Sequence, residues 1–306
     1  MTSTEAESDE ELFSTFERGL IRCLRRAKGR SAFSAAGAIT HLRKAWKIRE
    51  ADSEMAALRS ITAEEEAATA LIIHLRERQY VAAQHLNYRD HRVKLALFPF
   101  AREFWRMISF SAPVLRPDVR VVQSSDGEWM LDLVYVRENG EELRQARHPL
   151  ELALFPDSVK GLDAQTVTEL PEKLTKRSLR IASAEETAAA EDEQKLLTAS
   201  RNLGEILAVR LQGHAESAGA KSLQDDLNDE ANLRNRLLYA GSGGWPGGVE
   251  EIDSFIMNRK NRVVLLLILY GLLFPHRGNA LLVRQAVIAL AAVLEKVDLA
   301  DVEEFW

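Results

Sequence analysis

An apolar run near the C-terminus, Val263 to Phe274, constrains the fold more than any other stretch of the chain. It holds 12 residues without a charge and is closed by Pro275, His276 and Arg277. A membrane-spanning helix needs roughly 20 apolar residues, so we expect a helix that is buried inside the protein. Because a helix that is apolar all round must be covered on every side, the run favours a helical bundle, with or without an oligomer interface.

Helical periodicity extends over most of the remaining chain. Ser/Thr-x-x-Glu motifs, which are typical of helix N-termini, begin at Ser8, Thr62 and Ser183. They predict one helix that runs to about Ala27, one that begins after Thr62 and ends at Arg78, and an acidic helix that follows Ser183. Apolar spacing predicts further helices, which are 31–47, 90–110, 222–240, 249–274 and 279–297.

The last two of these helices share a short connection. Helices joined in this way usually pack against each other as an antiparallel pair. We therefore expect an apolar helical hairpin, 249–297, at the C-terminal end of the fold.

Between Pro113 and His148 the apolar residues alternate with a period of two, which is typical of strands. Strands are predicted at 119–123, 129–136 and 142–146, with Asn139-Gly140 as a strong hairpin signal between the last two. The predicted fold class is therefore mainly α, a multi-helix bundle with a small antiparallel β-meander insert at about residues 118–148. The corresponding regions are 1–112 with a basic face, 113–160 with the meander and 161–306 with the apolar hairpin, or one continuous domain.

Charge is strongly segregated along the chain. The stretch from Arg18 to Arg49 has ten basic residues and no acidic residue, whereas the whole protein has a net charge of −6. On two helices these residues form one basic face each, opposite apolar positions such as Leu20 and Trp46. The side chains that we expect to bind a partner are Arg18, Arg22, Arg25, Arg26, Arg43, Lys44 and Lys47.

A segregated positive charge requires a counter-charge, and the sequence leaves three candidates. One is nucleic acid, since phosphates pair with Arg and Lys stripes. Another is an acidic protein surface. The third is the chain's own acidic segments, 185–193 and 225–230. The first hypothesis is accordingly a non-catalytic helical protein that binds a macromolecular partner, protein or nucleic acid, through its basic N-terminal face.

A short helical segment supplies the alternative hypothesis. Arg234-Asn235, followed one turn later by a polar residue, resembles the Arg-Asn-x-x-x-x-His signature of HEPN-type helical ribonucleases. In that family the arginine and histidine line a cleft and handle the RNA phosphate and 2′-hydroxyl. Tyr239 stands here near the position of the histidine. The resemblance implies a toxin or host-defence ribonuclease that uses Arg234, Asn235 and Tyr239.

Other signals set limits on the chemistry. The single cysteine, Cys23, excludes a disulfide framework and fits a reducing compartment, so we expect a cytoplasmic protein without a membrane segment. The glycine-rich stretch 241–248 lacks a P-loop ending, and the histidines lack metal-ligand spacing, so the sequence implies no cofactor and no metal. It leaves open whether the chain is an enzyme and whether it forms a homo-oligomer.

Overall fold

The computed structural model of the protein describes residues 9–111, 115–137, 140–143, 148–151, 154–156, 179–181, 193–217, 219–239, 249–276 and 280–296. These residues form a mainly helical fold with a small antiparallel sheet, which confirms the predicted fold class. The helices are α1 (Thr15–Leu24), α2 (Arg30–Ile48), α3 (Ser53–Glu77), α4 (His91–Ser111), α5 (Glu193–Ser217), α6 (Leu223–Tyr239), α7 (Val249–Leu272) and α8 (Leu281–Lys296). Short 3-10 helices lie at Val81–His85 and Pro149–Glu151.

The sheet is the predicted meander, in the order β1 (Leu115–Gln123), β2 (Trp129–Arg137) and β3 (Glu142–Leu143). Gly127 and Gly140 have φ values of 82° and 84°, the left-handed conformation that these hairpin turns require. Of the predicted third strand, 142–146, the structure describes residues 142–143, which form β3. A second pair of short strands, β4 (Leu154–Pro156) and β5 (Leu179–Ile181), is antiparallel as well.

One face of β2 joins the main core. Leu131, Leu133 and Tyr135 are buried, and β2 contacts α1 and α7. On the opposite face Val136 is also buried, whereas Met130, Asp132 and Val134 are partly buried.

The centre of the bundle is the hairpin of α2 and α3, with α7 packed along α3. The apolar run is covered as predicted, since none of its residues is exposed and Val263, Leu266 and Tyr270 are each 0% accessible. Contacts within a single chain are enough to bury the run, because α7 contacts α1, α2, α3, α4 and β2.

The predicted antiparallel packing of the last two helices is wrong. Whereas α7 lies along α3, α8 lies along α5. At Gly204 of α5 a Cβ atom would lie 2.8 Å from the carbonyl oxygen of Ala289 in α8, so these two backbones approach closely because the glycine has no side chain. Between α7 and α8 there is instead an apolar cavity of about 100 Å³, lined in part by Leu272, Leu273 and Val287.

Two predicted helix starts also differ from the structure. The capping box that opens α1 is Ser14 with Glu17, whose side chains exchange hydrogen bonds with each other's backbone N–H at 3.2 and 2.7 Å. Ser8 lies outside the described residues, and the chain bends between residues 12 and 15, so no continuous helix reaches Ala27. Thr62 lies inside α3, where its hydroxyl donates to the Leu58 carbonyl at 2.8 Å.

Buried ion pairs connect parts of the chain that are far apart in sequence. In α7, Arg259 is 3% exposed and its Nη1 lies 2.6 Å from Oε2 of Glu64, which is fully buried in α3. Next to it, Lys260 donates to Glu17 of α1 at 3.1 Å and to the Leu12 carbonyl at 3.2 Å. Removing one member of such a pair leaves an uncompensated buried charge, so these contacts fix α7 against α1 and α3.

Candidate anion-binding surface

The predicted basic face of α1 is exposed in the structure. Arg22, Arg25 and Arg26 are accessible, and Arg18, which is half-buried, donates to the Phe13 carbonyl at 2.9 Å. Arg26 forms an ion pair with Glu128 in the β1–β2 turn. The predicted binding residues Arg22, Arg25 and Arg26 are therefore accessible to a partner.

The residues predicted on α2 behave differently. Arg43 makes a bidentate ion pair with Asp9, with hydrogen bonds of 2.7 and 2.6 Å, and is therefore neutralised within the chain. Lys44 and Lys47 are exposed and form no ion pair with another described residue. They lie near the far end of α2, ~21 Å (Lys44) and ~25 Å (Lys47) from Arg30 at a rise of ~1.5 Å per residue. The basic segment is thus divided between the two ends of α2.

A cleft of about 500 Å³ lies at the α1 end of this segment. We call it the basic cleft, and its walls are the C-terminal ends of α1, α3 and α7 together with the first residues of β2. Its charged and aromatic lining consists of Arg26, Lys28, His74, Glu77, Arg78, Trp129, Tyr270 and Phe274. Three cations thus face one carboxylate, and the Glu77 carboxylate accepts a hydrogen bond from the Ser31 hydroxyl at 2.9 Å.

His74 forms part of the wall of the basic cleft and is 5% exposed. Its ring contacts Tyr270 and Phe274 edge-on, with centroid distances of 5.0 and 5.5 Å. Burial, followed by the positive charge of Arg78, lowers the pKa of His74 to about 4. The imidazole is consequently neutral near pH 7, and the positive charge of the cleft comes from its arginine and lysine side chains.

A second group of cations surrounds Tyr88, and we call it the arginine–tyrosine cluster. The guanidinium carbons of Arg30, Arg76 and Arg89 lie 4.9, 5.4 and 5.9 Å from the ring centroid of Tyr88. Hydrogen bonds from Arg30 and Arg89 to the hydroxyl lower the pKa of Tyr88. Among the described residues no carboxylate forms an ion pair with these arginines, so the cluster retains its positive charge.

The cluster and the cleft are close neighbours in the fold. Arg30 follows Lys28 by two residues, and Arg76 and Arg78 flank Glu77 at the end of α3. Ser31, in the first turn of α2, connects both sites through its hydrogen bond to Glu77. One end of the α2–α3 hairpin is therefore strongly basic.

The acidic helix α6 does not cover this end. Its Glu230 forms ion pairs with Arg259 and Arg262 of α7. The other acidic segment, 185–193, lies outside the described residues apart from Glu193, the first residue of α5. Within the described part of the chain, the carboxylates that form ion pairs with the predicted binding residues are Asp9 and Glu128.

The residues of the ribonuclease resemblance occupy a different place. Arg234 is partly buried, and its Nε lies 3.5 Å from Oε1 of Glu65 in α3. The same oxygen is 2.7 Å from Nδ1 of His91, and Oε2 is 3.5 Å from Nζ of Lys94. Asn235 is exposed, and the side chain of Tyr239 lies outside the described residues.

Sequence reasoning placed neither Glu65 nor His91 in this group. Glu65 is 5% exposed and was predicted to be part of a capping box, whereas it is the carboxylate on which three basic side chains converge. One sequence feature could have indicated that Glu65 has a buried partner: it lies amid alanines on the apolar side of a long helix. A charged side chain in such a position requires a partner. Nothing in the sequence indicated that His91 and Arg234 share that partner.

In the described ranges no group of three or more His, Cys, Asp or Glu side chains is placed to hold a metal ion. None of the helices in those ranges combines the length and apolar character needed to cross a membrane. Comparison with protein families, curated proteins and solved structures found no significant match to this chain.

Proposed function

We propose that this protein binds an anionic macromolecular partner through the exposed face of α1, the basic cleft and the arginine–tyrosine cluster. The observation that carries the proposal is the concentration of cations at one end of the α2–α3 hairpin, where few carboxylates neutralise them. A fixed positive surface of this kind attracts polyanions and accelerates their association. No catalytic role for these side chains is part of the proposal.

Removal of positive charge near the cleft, and separately near the far end of α2, tests the proposal. The variant Arg22→Ser/Arg25→Ser removes two positive charges next to the cleft, whereas Lys44→Ser/Lys47→Ser removes the same charge near the far end. All four side chains are exposed, so both variants should keep the fold, which circular dichroism checks. Anisotropy of labelled oligonucleotides and of labelled polyglutamate, at roughly 50 mM salt where phosphate contacts are strong, measures binding.

We expect the Arg22/Arg25 variant to bind more weakly and to have a shallower salt dependence, by about one in slope for each lost phosphate contact. The Lys44/Lys47 variant should bind as the wild type does. Equal losses in both variants would show that net charge, and not this surface, controls binding. If neither polyanion binds to the wild-type protein, the proposal is wrong.

A second candidate function is RNA cleavage, and one observation favours it. The resemblance lacks a histidine in its own helix, but His91 shares the Glu65 carboxylate with Arg234. A histidine oriented by a carboxylate suits general acid–base catalysis, and an adjacent arginine suits phosphate binding.

Two variants and a control test this candidate. His91→Ala and Arg234→Ala should abolish any RNA cleavage by the purified protein, whereas Arg236→Ala, an exposed arginine of the same helix, should not affect it. Cleavage that persists in both site variants contradicts the assignment of these residues.

A further inference from the structure

We infer that the partner is a single-stranded nucleic acid, and that one of its bases stacks on Trp129 at the mouth of the basic cleft. This inference rests on the proposed function, because it names the chemical class of the partner for the same surface. The choice of a single-stranded nucleic acid follows from the way in which aromatic rings and cations are combined at this surface.

Trp129 is the first element of the argument. Its side chain is 37% exposed although it begins β2, next to buried residues of the same strand. The guanidinium of Arg22 lies 5.9 Å from its ring centroid, and Arg26 donates to its backbone carbonyl at 3.3 Å. An accessible indole thus lies beside Arg22, which forms no ion pair with a described carboxylate, while Arg26 contacts the Trp129 backbone and pairs with Glu128.

The shape of the cleft is the second element. At about 500 Å³ it is within the usual range for sites that bind molecules of nucleotide size. Lys28 and Arg78 supply charge that no described carboxylate neutralises through an ion pair, whereas Arg26 is paired with Glu128, and Tyr270 and Phe274 supply apolar wall. A base has a flat apolar face and is attached to a phosphate, so it matches both parts of this lining.

The arginine–tyrosine cluster is the third element. The guanidinium carbons of Arg30 and Arg89 lie 4.9 and 5.9 Å from the Tyr88 ring centroid, so cation–π contacts hold these groups beside the cleft. Because these arginines form no ion pair with a described carboxylate, they are suited to bind the phosphates that follow along the strand.

These features favour nucleic acid over an acidic protein, and a single strand over a duplex. Aspartate and glutamate side chains would satisfy the cations but have no π-face for Trp129. In a duplex the bases are stacked on each other, so a recessed cleft reaches only the backbone. Single strands present unstacked bases, which bind to aromatic side chains between positive charges largely independently of sequence.

The experiment compares four ligands: labelled oligo-dT and oligo-U of roughly 12 nucleotides, which suits such sites, a DNA duplex of the same length, and labelled polyglutamate. The variants are Trp129→Ala, Trp129→Phe and, as a control, Phe33→Ala. Phe33 is an 80% exposed aromatic residue on α2 that does not line the cleft. Fluorescence anisotropy gives each Kd.

We expect single strands to bind more tightly than the duplex. Trp129→Ala should weaken single-strand binding by about 5-fold to 150-fold, the usual effect of losing one stacked base. Its affinity for polyglutamate should not change, because polyglutamate has no base to stack. Trp129→Phe should restore most of the single-strand affinity, and Phe33→Ala should have no effect.

Two results would overturn the inference while the proposed function stands. One is a duplex or polyglutamate that binds as tightly as the single strands, and the other is a Trp129→Ala variant with unchanged single-strand affinity. If none of the four ligands binds, the proposed function fails together with the inference.

Discussion

The stability of the fold should decrease when the pH falls from about 6.5 to 4, because His74 cannot accept a proton inside the protein. It is 5% exposed, and its pKa is about 4, whereas a histidine in an unfolded chain titrates near 6.5. Between these values the unfolded chain binds the proton and the folded chain does not. The free energy of unfolding therefore decreases as the pH falls through this window.

The magnitude follows from the two pKa values. A difference of one in pKa corresponds to about 1.4 kcal/mol, so His74 contributes a loss on the order of 3 kcal/mol between pH 6.5 and 4. Burial also lowers the pKa values of His41, His148 and His276, and each adds a loss of the same sign. The fold should thus be acid-sensitive in a range where most carboxylates are still ionised.

Urea unfolding followed by circular dichroism, at several pH values from 7 to 4, measures this loss for the wild-type protein and for His74→Gln. The glutamine side chain carries no titratable group, so the variant should show a smaller loss across the same range, by about 3 kcal/mol. The difference between the two curves isolates His74 from the other histidines. If both curves have the same slope, burial of His74 does not control its protonation and the reasoning is refuted.

Two further predictions concern packing and buried charge. Arg259→Met should lower the free energy of unfolding by ~3–5 kcal/mol, because Glu64 loses its main buried partner, and adding Glu64→Leu should recover most of that loss in urea unfolding. Gly204→Ala should destabilise by ~1–3 kcal/mol, since its Cβ would lie 2.8 Å from the Ala289 carbonyl oxygen. Gly213→Ala in the same helix meets no atom within 4 Å and should stabilise by up to ~1 kcal/mol. A higher Tm for Gly204→Ala, or no recovery in the Arg259/Glu64 double variant, would contradict these assignments.

Local pattern predicted the elements that depend on local interactions. The turn signal at Asn139-Gly140 and the alternation in 129–136 placed the meander, and the apolar run placed α7 in the core. The motif at Thr62 failed because a Thr-x-x-Glu spacing also occurs in helix interiors, where the hydroxyl hydrogen-bonds to the preceding turn. In α3 the helix starts earlier, at a cap in which Asp52 accepts from the N–H of Met55 at 2.9 Å.

The sequence did not predict which residues far apart in the chain contact each other. The basic segment was visible as a run of charge, but its division into an accessible end and an end that includes Arg43 depends on where Asp9 lies in the fold. The position of Tyr88 among three arginines arises from elements more than 50 residues apart in sequence, at Arg30 and Arg89. The choice of α5 over α7 as the neighbour of α8 depends on backbone approach at Gly204, which only the packed structure shows.

The ion pair between Glu17 and Lys260 has a consequence for the timing of biosynthesis. Its partners are separated by 243 residues, so at about 5–20 residues per second Lys260 is synthesised roughly 12 to 50 s after Glu17. During that interval the nascent chain has its first helices but not the cation that neutralises their buried carboxylate. The N-terminal helices therefore reach their final packing only after α7 has left the ribosome.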